Sequence, residues 1–236
     1  MNPHDGSSVA DRAYEHIRSR VLSGQYPSGH QLVTRQIASE LEASLNPVRE
    51  AIGRLAAEGF LNHIKGAGAF VPTPDPEAIL ELYEFRQAIE PFAVRKAALM
   101  ISAPELGSLR NLCEQQRQLA DSLQEPDAHL SDGSLEDWFA IEEQFHRTLI
   151  RAARNRHFES TIGHSRVLIQ IFHGHRAVGL KVNQAIASST WKIHLQIIEA
   201  LEQRDGDTAA KLMLQALDQG ASSTLAAAQK NALPSR

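Results

Sequence analysis

The chain has 236 residues, 42% of them hydrophobic and 22% charged, a balance that excludes a disordered protein. One cysteine, Cys113, excludes an intrachain disulfide and a multi-cysteine metal centre, and no run reaches the ~18 apolar residues of a membrane helix. The formal net charge is −4, and residues 1–73 hold seven Lys/Arg against seven Asp/Glu, so any grip on nucleic acid must come from where cations are placed.

The opening residues MNPHDGSSVADRAYEHIRSR lack the apolar core of a secretory leader, which points to a cytoplasmic protein. In ADRAYEHIRSRVLSG, Ala13, Ile17, Val21 and Leu22 recur at the spacing of one helix face. Ser23-Gly24 is expected to end that helix, and Tyr26-Pro27-Ser28-Gly29 supplies a turn. A shorter helix is predicted over TRQIASEL, with Ile37, Ala38 and Leu41 on its apolar face. NPVREAIGRLAAEGF predicts a third: Asn46 or Ser44 can cap it, Pro47 suits its first turn and Gly59 its end. FLNHIKGAGAFV reads as two short strands, around Leu61–Ile64 and Ala69–Val71, joined by Gly66-Ala67-Gly68.

PTPDP, residues 72–76, has three prolines in five residues. It can neither extend a strand nor begin a helix smoothly on this reading, so a domain boundary is placed there. Residues 1–73 form one expected domain and 74–236 another. Beyond the boundary all patterns are helical. EAILELYEFRQAIEPFAVRKAALMI carries a long apolar stripe with a kink expected at Pro91. Ser102 with Glu105 forms a capping box, and Ser134 with Asp137 resembles another. Further helices are predicted near 157–178, 188–203 and 207–229. The expected fold class is mainly α: a winged helix-turn-helix followed by an all-α helical bundle.

Helix, helix, turn, helix and a two-stranded ribbon is the order of a winged helix-turn-helix, whose third helix enters the major groove. The N-terminus of such a helix also offers unpaired backbone N–H groups to phosphate. Arg49, just inside the first turn, can reach a phosphate or a guanine edge. Arg54 lies further along and can serve the backbone or an internal ion pair with Glu50 or Glu58.

GHQLVTRQIASELEASLNPVREAIGRLAAEGFLNHIKGAGAFV resembles the DNA-binding domain of the GntR family of bacterial transcription regulators. The matching residues are Gly29, Leu32, Arg35, Ile37, Ala38, Ser44, the run Pro47 to Ala51, Arg54, Leu55, Glu58, Gly59, Gly68, Phe70 and Val71. The resemblance implies that Arg35 and Arg49 are the principal DNA contacts, with Ser44 and Asn46 on phosphate. It places Lys65 and Gly66 at or beside the wing tip and keeps Arg54 in the DNA-binding set. Three residues depart from the family pattern. Leu45 and Ala67 stand where arginines are usual, and Glu42 where a turn glycine is common. Losing two cations per protomer should weaken DNA affinity and flatten its salt dependence.

The remainder resembles the effector-binding, dimer-forming domain of the FadR subfamily, the FCD type, through ELYEFRQAIEPFAVRKAA, EEQFHRTLIRAARN and IHLQIIEALEQRDGDTAAKLM. Many members hold a divalent metal such as Zn or Ni with an Asp and three His. A carboxylate and a histidine four apart share a helix face, and further imidazoles come from neighbouring helices. Here Glu142 and His146 match the first pair and His194 the next histidine. The last position falls on Ala216, so Glu142, His146 and His194 are the metal ligands the resemblance implies. Arg86 and Glu90 align with an R-x-x-x-E of the first bundle helix; Arg86 can take a ligand carboxylate bidentately or pair with Glu90 or Glu142. Arg86, Glu90, His146 and His194 make up the expected effector-binding set, and His173 and His175 are secondary pocket candidates.

The expected function is a ligand-responsive transcription regulator, a repressor, binding a palindromic operator as a homodimer and sensing a small organic acid. The alternative is a metal-dependent bundle enzyme acting on a small carboxylate. No G-x-S-x-G or P-loop supports the enzyme, Cys113 is followed by the polar run EQQRQ, and a separate DNA-binding domain would be unexplained. A purely architectural DNA protein should be more basic.

Overall fold

The computed structural model describes residues 8–73, 75–125, 128–159, 161–162 and 180–232. They fall into two compact units that part at Asp75.

The first unit begins with α1 (Val9–Leu22), which buries Ala10, Ala13, Ile17 and Val21 along one face. Ser8 caps it: the hydroxyl accepts from the Asp11 N–H, and the Asp11 carboxylate accepts from the Ser8 N–H at 3.1 Å. A two-residue strand, β1 (Gln31–Leu32), leads into α2 (Thr34–Glu40) and then α3 (Leu45–Ala57). Ser44 is the N-cap of α3, Pro47 lies in its first turn, and Gly59 follows its C-cap at φ +87. The ribbon is β2 (Asn62–Ile64) with β3 (Gly68–Phe70). Both β1 and β2 pair antiparallel with β3, giving a three-stranded sheet in the order β1-β3-β2. Ile17, Val21, Val48, Leu55, Leu61 and Val71 are buried here, and α1 packs on α3. Full burial of each such side chain is worth about 1.5–3 kcal/mol.

The turn between α2 and α3 carries the departure noted at Glu42. Its φ is +50, the left-handed region where a Cβ is strained, so the physical demand for glycine persists although the residue has changed.

The second unit is helical. It comprises α4 (Pro76–Met100), α5 (Ala103–Asp121), α6 (Asp132–Ala152), α7 (Gln184–Glu202) and α8 (Gly206–Ala232). The sequence reading of PTPDP is corrected at its end. Asp75 caps α4 by accepting from the Ala78 N–H at 2.8 Å, and Pro76 is its first residue, where a missing N–H costs nothing. The α4 helix continues through Pro91. Ser102 caps α5 as expected, its N–H and hydroxyl both donating to Glu105. The Ser134 box is also corrected: α6 starts earlier, at Asp132, with Ser131 as its cap. His173 and His175, with most of the helix expected over 157–178, lie outside the described residues.

Within this unit α4 packs chiefly on α8, while α5 lies against both α6 and α7. Phe145, Leu149, Ile197, Ile198, Leu201 and Leu109 fill the centre. The turn into α8 is tied back to the end of α4: Arg204, at φ +59, donates from Nη1 to the carbonyls of Ala98 at 2.9 Å and Ile101 at 3.1 Å. A cation there meets the carbonyl end of the α4 dipole.

Candidate functional site

Two sets of residues stand out, one in each unit. In the first, Arg35 is exposed on α2, Arg49 is exposed on α3, and Lys65 is exposed in the β2–β3 turn. Among the described residues none of these three pairs with a carboxylate. Ser44 makes no side-chain capping bond, so the start of α3 keeps its N–H groups and this hydroxyl unspent, and Asn46 beside it is exposed. Leu45, the first residue of α3, is half-buried. The wing turn is ordered by Gly66 at φ +81, by the Ala67 N–H donating to Ile64, and by the Gln31 side chain donating to the Ala67 carbonyl at 2.7 Å.

Arg54 is spent inside the domain, and with neither expected partner. Its Nη1 donates to Asp11 Oδ1 at 2.7 Å, and its guanidinium lies 4.6 Å over the Tyr14 ring. Tyr14 in turn donates to Glu58, and burial followed by that bond pushes its hydroxyl up to about 12. Asp11, Arg54, Tyr14 and Glu58 thus fasten α3 to α1. Only the distance between two helices, not spacing along one, could reveal that pairing.

The hydrogen bond from Arg54, then those from the Ser8 hydroxyl and N–H, hold the Asp11 carboxyl down at about 2 against an ordinary 3.8. A lowered folded-state value means that this stabilisation is complete above the ordinary carboxylate range and is lost as pH falls through about 2. NMR titration of the Asp11 carboxyl should show that midpoint. In Arg54→Met it should return toward 3.8, and an unmoved midpoint would refute the pairing.

In the bundle, Glu142 and His146 on α6 and His194 on α7 each offer one ligand atom, and these atoms lie within 4.8 Å of one another. Both histidines are buried and Glu142 is partly so. Arg86 and Glu90, on the buried stripe of α4, join them. Arg86 Nε donates to Glu90 Oε1 at 2.5 Å, so of the partners open to Arg86 the pair with Glu90 is the one formed. Burial disfavours the Arg86 cation, but the charges around it, Glu90 foremost, outweigh that and raise its pKa. Among the described residues, Glu90 Oε2 at 2.8 Å and Arg86 Nη2 at 3.4 Å approach His146 Nδ1. A guanidinium only donates and a carboxylate only accepts; the shorter contact is to the carboxylate, so Nδ1–H donates to Glu90.

Gln116 was not singled out by the sequence. It is fully buried on α5, its Oε1 is 2.8 Å from His194 Nδ1, and its Nε2 donates to Glu142 Oε1. Phe145 stacks flat on the His194 ring with centroids 3.8 Å apart. A signal existed: Leu109, Cys113, Gln116 and Ala120 are the buried stripe of α5, and an amide on such a stripe needs partners. Cys113 is on that stripe as well, not on a polar face. Its thiol donates to the Trp191 carbonyl at 3.2 Å, and burial pushes it up to about 11, away from a nucleophile's range. Ala216, which the resemblance aligns with a fourth ligand, lies on α8 and carries only a methyl.

The FCD domain family matches residues 81–219, and the family of bacterial regulatory proteins of the gntR type matches residues 9–71. The chain belongs to the GntR family, FCD type. As such it is a transcriptional regulator, with a DNA-binding winged helix-turn-helix and a helical domain of the kind that takes small-molecule effectors, and is not an enzyme. An uncharacterized HTH-type regulator of Agrobacterium vitis is 33% identical over 63% of this chain and 85% of its own. The HTH-type transcriptional repressor RspR of Escherichia coli K12 is 25% identical over 94% and 92%. The gluconate operon transcriptional repressor of Bacillus subtilis is 32% identical over 59% and 53%. Among solved structures, Escherichia coli McbR/YncC superposes with a TM-score of 0.73 over 95% of this chain and 99% of that one, at 18% identity. This FCD-type GntR regulator therefore shares the fold of that structure. Among its described residues no helix is long and apolar enough to cross a membrane.

Proposed function

We propose that the protein is a cytoplasmic, homodimeric repressor that releases a palindromic operator when a small carboxylate enters its bundle. Arg49 and Arg35, with Ser44, Asn46, Lys65 and Gly66, are its DNA contacts, and Arg54 holds the recognition helix in place. Two copies joined through their bundles would set the spacing of two α3 helices. Phe92 and Leu99, 57% and 74% exposed on the outer face of α4, suit that junction. An effector that changed the spacing by a few Å would prevent both helices from engaging at once, and the avidity of the dimer would be lost.

Glu142, His146 and His194 fit a divalent metal: one carboxylate and two imidazoles converge, and each imidazole has its Nδ1 engaged, which turns Nε2 to the ion. FCD domains often bind metals, and a bound ion would supply a Lewis-acid anchor for a carboxylate. With Ala216 in place of a fourth ligand, the effector or water completes the shell. A relative named as a gluconate operon repressor is in keeping with a hydroxy acid as effector class.

The observation that carries this reading is the convergence of Glu142 with the buried His146 and His194 inside a winged-helix protein. Zinc content of purified protein should fall to background in His146→Ala, and DNA retardation by the wild type should respond to small carboxylates. Equal zinc in both proteins would remove the metal site, and no shift with promoter DNA at low salt would remove the repressor.

A further inference from the structure

We propose that Gln116 is the positioning residue of this ligand set, fixing the tautomer of His194 and the direction of the Glu142 carboxylate in one stroke. The inference rests on the metal reading above and adds to it a residue from a helix, α5, that supplies no ligand.

A carboxylate only accepts, so the Gln116 atom facing Glu142 must be the amide nitrogen. That assignment leaves the amide oxygen facing His194 Nδ1, 2.8 Å away, and an oxygen only accepts. His194 must therefore carry its proton on Nδ1, and its lone pair is on Nε2. Glu142 Oε1, 3.7 Å from the same Nδ1, is a further acceptor on that side and calls for the same proton. The stacked Phe145 ring, 8° from parallel, resists tilting of the imidazole about that bond.

His146 receives the same orientation from a different group. Its Nδ1 donates to Glu90, which is itself paired with Arg86. One imidazole is thus backed by a carboxylate and the other by a neutral amide. A second carboxylate at 116 would face Glu142 with like charge, which gives the amide a reason beyond geometry. A buried amide is costly without partners, so the use of both its nitrogen and its oxygen here marks a built arrangement.

The test uses the full-length protein and two variants, Gln116→Met, which keeps length and removes both bonds, and Gln116→Asn, which keeps the amide but shortens its reach. Circular dichroism confirms that each is folded. Long-range 1H–15N NMR on metal-free protein reads the tautomer: wild-type His194 should be Nδ1–H, and both variants should show Nε2–H or a mixture. Zinc affinity by chelator competition should fall by about 10–100-fold in both, and the cobalt absorption spectrum should change shape. A wild-type tautomer together with wild-type zinc affinity in Gln116→Met would overturn the proposal. Wild-type protein that binds no zinc would instead overturn the metal reading, and the positioning role would fall with it.

Discussion

Arg49→Ala is expected to weaken DNA binding by about thirtyfold or more, because a major-groove arginine contact is worth about 1–3 kcal/mol and the proposed dimer would lose two. Fluorescence anisotropy on duplexes selected from a random pool would measure it. The expectation comes from placement: Arg49 is exposed one turn into α3, and among the described residues it has no carboxylate partner. Arg54, one turn further on, is the internal control. Its charge is met by Asp11, so Arg54→Met should lower stability and leave the salt dependence of binding nearly unchanged. Leu45→Arg is the reverse experiment. It restores a cation at the first residue of the helix in each protomer and should steepen the dependence of log affinity on log salt by about 2. If Arg49→Ala bound the selected duplexes as well as the wild type, α3 would not be the reading helix.

Glu90→Met should be the most destabilising single change in the bundle. Glu90 is wholly buried, and its two oxygens serve Arg86 and His146. Its loss strands a buried guanidinium, for which about 3–5 kcal/mol is typical when one partner of a buried pair is removed. At roughly 2–4 °C per kcal/mol for a unit of this size, the melting midpoint should drop by about 6–20 °C. The double variant Arg86→Met/Glu90→Met removes both charges and should recover most of that loss, since apolar replacement of a whole buried pair is often neutral. Calorimetry on the three proteins decides it. A double variant no more stable than the single one would show that the pair does more than neutralise itself.

These residues were visible in the sequence to different degrees, for physical reasons. Periodicity reports which face of a helix is apolar, and α1, α3 and α4 were legible because their buried stripes are regular. Arg86, Glu90 and His146 were singled out because a family motif marks them, and all three prove to be buried. β1 was missed because two residues, Gln31 and Leu32, carry no period; the strand exists only because β3 lies beside it. The start of α4 was misread because three prolines suggest a break, whereas a proline at the first helical position is harmless once an aspartate precedes it. Pairings across the fold left no local trace. Arg54 meets Asp11 and Gln116 meets His194 through distances that spacing along one helix does not encode. The amide of Gln116 on an apolar stripe was the one clue, and it names a need without naming the partner.

The pairing of α4 with α8 has a consequence in time. The first helix of the sensor closes against the last, and Arg204 secures the end of α4 only after most of the chain exists. During synthesis the winged-helix unit is complete while the sensor still waits for residues up to Ala232. At about 5–20 residues per second that interval is on the order of ten seconds. Each new molecule therefore finishes its DNA-binding unit before its helical domain can close.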